Sequence, residues 1–173
     1  MSTVVSTLIT EGIVTWFSLK PELISAVIDT AVLGEDDPTR PEDSDWWAAM
    51  RAAATGPDAL RLFARSAGPL LARAAGISEI LRAAALTDDE LSSIHRWRDE
   101  MQTRAYRHVV EIAVGKHALR PGLTTDTATD VLLVLCGDHT YVSLTERGWT
   151  HDQVVDWLSE TVPSLLLGTD QEA

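Results

Sequence analysis

The stretch that decides the fold is TTDTATDVLLVLCGDHTYVSLTERGWT, Thr124 to Thr150. Its middle, Val131 to Cys136, is apolar on every side, and such a helix must be shielded all round, by neighbouring helices or by a second copy of itself. It is therefore a candidate dimer helix. Cys136, Asp138, His139 and Tyr141 follow without a break in the sequence pattern, so one continuous helix is also placed to line a cavity. The function turns on which of these tasks it performs.

Working outward, helical periods recur along the whole chain. On the C-terminal side THDQVVDWLSETVPSLLLG puts Val154, Leu158, Val162 and Leu165 on one face, with Pro163 as a candidate kink. On the N-terminal side, KHALRPGLTTD is a turn in which Pro121 and Gly122 break one helix and Thr124 or Thr125 starts the next. The helix before it, TDDELSSIHRWRDEMQTRAYRHVVEIAVG, opens on Thr87 with Glu90 three residues later as a capping box. Its predicted inward stripe is Leu91, Ile94, Trp97, Met101, Ala105, His108 and Ile112. Earlier still, Pro57 starts a helix carrying Leu60, Phe63, Ala67, Leu70 and Leu71, with a kink expected near Gly68 and Pro69. After Gly76 a separate short helix is expected, with Ile77, Ile80 and Leu81 inward.

Ser44 or Asp45 caps DWWAAMRAAA, where one of Trp46 and Trp47 is expected on the core and the other on its rim. Glu35 to Asp45 reads as an acidic loop with Pro38 and Pro41. KPELISAVIDTAVLG reads as a helix with Leu23, Val27 and Ala31 on one face, and Thr3 to Phe17 as another. No alternating run bounded by turn dipeptides marks a strand. The expectation is an all-α helical bundle, with residues 1–19 as an N-terminal helical region, 20–168 as one domain and 169–173 as a flexible tail.

The length of 173 residues suits one domain, and 45% hydrophobic with 23% charged residues is the composition of a globular one. The net charge of −12 opposes contact with phosphate backbones, and no Lys, Arg or His precedes Lys20. A lone cysteine, Cys136, excludes an internal disulfide and fits a reducing cytoplasm. No targeting or membrane-spanning segment is expected from the sequence.

Two segments carry a resemblance. FSLKPELISAVIDTA resembles the junction F-G-S-K-x-x-L that ends the DNA-binding domain of TetR-family transcriptional repressors, through Phe17, Lys20 and Leu23. ERGWTHDQVVDWLSETV is similar to that family's terminal pattern E-R-G-W-S-x-x-x-x-x-x-W-L, through Glu146, Arg147, Gly148, Trp149, Trp157 and Leu158. The resemblance implies a ligand-binding and dimerisation domain: the last two helices meet a second subunit, and a cavity among the central helices takes a small apolar or amphipathic effector. Most of the helix-turn-helix is missing, and LITEGIVTW departs from the family's recognition helix at Ile9, Gly12 and Val14. Either the start was misassigned, or DNA contact is reduced, or the chain is a ligand- or partner-binding module that has lost DNA binding and pairs with an intact relative.

On that basis Phe63, Leu70, Trp97, Met101, His108, Leu132, Cys136 and His139 are the candidate ligand-facing residues. Val131, Leu135, Val142, Val154, Leu158, Val162 and Leu165 are the candidate dimer contacts. Each of these side chains could instead simply fill a core. Cys136 and His139, three apart on one helix face, are too few for a zinc site, which wants three or four ligands. No cofactor is expected. Asp138, His139 and Ser143 do not converge as a hydrolytic set, and no phosphate loop or nucleophile elbow is present, so no enzyme activity is expected. A cytoplasmic homodimer sensing a small molecule is the reading of the sequence. The absence of basic residues before Lys20 predicts no salt-sensitive binding of the chain to duplex DNA; a salt-dependent rise in fluorescence anisotropy of labelled DNA would overturn that.

Overall fold

Helix α2, Gly56–Ala84, is the element against which most of the others pack. The computed structural model describes residues 43–168. The expected helices at Thr3 to Phe17 and from Lys20, most of the acidic loop and the tail after Gly168 lie outside the described residues. Around α2 stand α1 (Asp45–Ala52), α3 (Asp89–Val114), α5 (Asp138–Thr145) and α6 (His151–Leu166), while α4 (Thr125–Leu135) packs on α3 and α6. The fold is all-α. Leu119 and Leu167 make an isolated antiparallel bridge, and Gly168 N–H donates to the Ala118 carbonyl at 3.0 Å, tying the end of α6 to the loop between α3 and α4.

The α2–α6 seam is built on small residues. A Cβ at Gly68 would stand 2.5 Å from Val155 Cγ2, so only glycine allows this approach without displacement. Leu60, Phe63, Ala64, Ala67 and Leu71 of α2 are buried in the same core as Val154, Leu158, Val162 and Leu166 of α6. Three of the residues assigned to a dimer face, Val154, Leu158 and Val162, are thus inside the monomer, because the helix needs its most apolar side for α2. Leu165, one position round from that stripe, is 41% exposed.

Several expected boundaries move. The two helices predicted on either side of Gly76 are one helix of 29 residues, with Pro69 inside it. A glycine in a helix costs about 1 kcal/mol against alanine, which is too little to end it, and Gly76 stays inside α2 with no left-handed turn. Thr55 caps α2 by accepting from Asp58 N–H at 3.2 Å. The cap of α3 is Asp88, not Thr87: its carboxylate accepts from Glu90 and Leu91 N–H at 2.9 and 3.0 Å. Ser44 caps α1, where Trp47 is buried and Trp46 is half-buried, as the pair was expected to divide.

The stripe assigned to α3 lies at the edge of the core: Ala105 and Ile112 pack partly against it, while Trp97, Met101 and His108 face out. Tyr106, Val109, Val110 and Ala113 are the buried residues of this helix, whereas Trp97 is 51% and Met101 44% exposed. Both faces of α3 carry apolar residues at helical spacing. The face that packs is the one with small β-branched side chains and a tyrosine hydroxyl that finds a buried acceptor.

The decisive stretch is also two helices and not one. Residues from Thr125 to Leu135 form α4, started by a capping box between Thr124 and Thr127, and the chain breaks at Cys136 and Gly137 before α5. Leu132 and Cys136 are fully buried, but Val134 is 69% exposed, so α4 is covered on one side only. At Gly137 an added Cβ would stand 2.5 Å from the Leu133 carbonyl oxygen. Overpacking of this kind costs about 1–3 kcal/mol, and Gly137→Ala is expected to lose that much in urea unfolding. An unchanged midpoint would mean that the break does not depend on glycine.

Candidate functional site

The break between α4 and α5 meets α2 and α3 in a cluster of polar side chains. Tyr106, on the buried face of α3, donates its hydroxyl to the Cys136 carbonyl at 2.8 Å, satisfying an acceptor that α4 leaves open where it ends. Gln102, one turn earlier, donates from Nε2 to the same hydroxyl at 3.4 Å. Phe63 of α2 meets the Tyr106 ring edge-on, with centroids 5.2 Å apart. Burial pushes the tyrosine's pKa up, so the hydroxyl stays a proton donor. The Cys136 thiol, fully buried beside it, is pushed up to about 12 by burial and is held as a thiol.

Asp138 begins α5 half-buried, and burial raises its carboxyl above the usual 3.8 despite a hydrogen bond from Ser78 and attraction to Arg98; Glu79 raises it further. Glu79 of α2 is pulled the other way. Arg82 donates to its carboxylate at 2.6 Å and lowers its pKa, and His139 Nδ1 stands 3.7 Å from the same group. Two carboxylates from two helices therefore sit near each other with different protonation preferences. Further along α5, Tyr141 Oη and His151 Nδ1 of α6 are hydrogen-bonded at 3.0 Å.

The structure does not bring the eight candidate ligand residues to one place. Phe63, Leu132 and Cys136 lie in the buried core and Leu70 is half-buried. Trp97 and Met101 are on the outer surface, where Met101 Sδ accepts from Arg104 at 2.9 Å. His108 also stands outside, stacked flat on the buried Trp47 with ring centroids 5.8 Å apart. His139 is 76% exposed at its side chain and belongs to a different helix from Cys136, so their spacing of three does not put them on one face. Among the described residues no group of three or more His, Cys, Asp and Glu is gathered as a metal ion would require.

Ser78, Glu79, Arg82, Gln102 and Tyr106 were missed by the sequence reading. The signal for Tyr106 was present: with Val109, Val110 and Ala113 it repeats at three, four and seven, one position round from the stripe chosen. The α2 residues had no such signal, since only the break at Gly137 aims Asp138 and His139 at them. No family model, curated protein or solved structure matches the chain.

The two carboxylates give opposite pH signatures. Asp138, raised when folded, contributes stability that is full below its ordinary 3.8 and lost as pH rises through the folded value; Glu79, lowered when folded, contributes above its ordinary 4.5 and loses it on acidification. Asp138→Asn removes the first effect only. The variant is expected to gain stability relative to the unmodified chain as pH rises above the ordinary carboxyl value of 3.8, read from urea midpoints at each pH. A constant difference over that range would show that burial does not perturb Asp138.

Proposed function

We propose that the chain is the ligand-sensing and dimerising domain of a TetR-like transcriptional regulator, taking a small apolar or amphipathic effector. The observation that carries this reading is the joint between α5 and α6, where the resembling residues Gly148, Trp149 and Trp157 sit. Gly148 has φ near +90°, a turn that favours glycine. Thr150 and Gln153 then form a capping box that starts α6, and the Trp149 and Trp157 rings meet edge-to-face with centroids 6.1 Å apart. The resembling residues thus form the turn and the capped start of α6, and this local structure is what supports the reading.

In this reading the second subunit meets the outer side of α4 and α6, which pack on each other. Val131, Val134 and Leu135 of α4 with Trp157 and Leu165 of α6 are apolar and incompletely covered. Val154, Leu158 and Val162 leave the interface for the monomer core. The effector contacts proposed are Phe63, Leu70, Leu132 and Cys136; the exposed Trp97, Met101, His108 and His139 are left out. The alternative is a stand-alone ligand- or partner-binding protein without a direct part in transcription. It is favoured by the net charge of −12.

Light scattering is expected to give a dimer at micromolar concentration, and Val134→Glu with Leu165→Glu to give a monomer that keeps its helical circular dichroism. A monomeric unmodified chain, or a dimer indifferent to both charges, defeats the dimer surface. Native mass spectrometry of gently purified protein tests the ligand half, by an additional small mass that is released on denaturation.

A further inference from the structure

Helix α5 differs from its neighbours in how it is held. It lies along α2, yet none of its residues is buried, and Tyr141 and Leu144 only lean on the core from its edge. Elements with few buried apolar contacts are those that open at low free energy. The starts of its neighbours are fixed without it. The start of α4 is fixed by the Thr124–Thr127 capping box and that of α6 by the Thr150–Gln153 box, whereas Gly137 gives α5 no side-chain cap. A glycine stands on each side: Gly137 against the Leu133 carbonyl, and Gly148 in a left-handed turn.

Apart from the edge contacts of Tyr141 and Leu144, what fastens α5 is polar. Ser78 and Arg98 stabilise the Asp138 carboxylate, Thr140 Oγ1 donates to the Val134 carbonyl of α4 at 2.5 Å, His139 faces Glu79 at 3.7 Å, and Tyr141 is hydrogen-bonded to His151 at 3.0 Å. Each can be exchanged for water at small net cost, because a hydrogen bond to solvent nearly replaces an internal one and an exposed ion pair is weak. On α2, one turn to either side of Ser78, the buried residues are Ala74, Ala75 and Leu81; across the break they are Leu132 and Cys136. The surface next to the fastenings is therefore apolar and made largely of small side chains.

We propose that α5 is a hinged flap that swings on Gly137 and Gly148, released by water at its polar fastenings, and that it admits a small apolar molecule to the side of α2. The nature of the guest rests on the ligand-binding reading above; the opening itself does not.

The chain carries its own reporter. Cys136 is the only cysteine, its thiol is fully buried, and it stands one residue before the hinge. Labelling by the aromatic disulfide 5,5′-dithiobis(2-nitrobenzoate) is followed at increasing urea, without added ligand. The flap predicts labelling in the absence of urea that is faster than global unfolding and nearly independent of low urea. The double variant Glu79→Gln, Tyr141→Phe is expected to accelerate it about tenfold. Hydrogen exchange should find the amides of α5 less protected than those of α4 and α6. Labelling with the full urea dependence of global unfolding, or α5 amides as protected as those of its neighbours, overturns the flap while leaving ligand binding to be judged by mass spectrometry. A flap that opens in a protein carrying no small molecule would instead remove the guest and keep the hinge.

Discussion

The approach of α6 to α2 at Gly68 is the constraint from which the other contacts follow. With Val155 Cγ2 lying 2.5 Å from where a Cβ would be, a side chain at Gly68 would force Val155 to give way. The close crossing buries the apolar face of α6 and draws in Leu60, Phe63 and Leu71 of α2. Dispersion contacts are individually weak and fall away within an ångström of separation, so a larger residue here would loosen the whole seam. The last turn of α6 is then carried to the loop after α3, where the Leu119–Leu167 bridge closes the bundle.

The fold class and most helix positions were legible from period, caps and breakers. The caps Ser44, Thr124 and Thr150 mark their helices as the residue types suggest, because a side-chain oxygen there satisfies an amide the helix cannot. What was not legible is which of two apolar faces packs. In α3 the stripe through Trp97 and Met101 is as regular as the one through Tyr106 and Val110, and only the partner helices decide between them. The apparent continuity of Val131 to Tyr141 misled for another reason: Gly137 was read as one more residue in a helical run, although its lack of a Cβ is what permits the chain to fold back on Leu133.

The candidate site was partly legible. Cys136, Asp138 and His139 were singled out as a polar set, and the structure disperses them: the thiol into the core, the carboxyl to a half-buried edge, the imidazole to the surface. Their partners come from α2 and α3, separated from them by tens of residues, so no local spacing could reveal them. The dimer surface proposed on α4 and α6 shifted for a related reason. The most hydrophobic positions of α6 are claimed first by the chain's own core, leaving the flanking Leu165 and Trp157 less covered.

The division of α3 has a bearing on how the sequence can vary. All four of its buried residues fall between Tyr106 and Ala113, and none lies in residues 89–105. Substitutions in the first part remove little packed surface and leave a helix supported by its Asp88 cap and by side chains one turn apart. Those in the second part strike the core directly. Tolerance to change should thus rise steadily toward the start of a single unbroken helix, a gradient that a complete set of single substitutions would draw along its length.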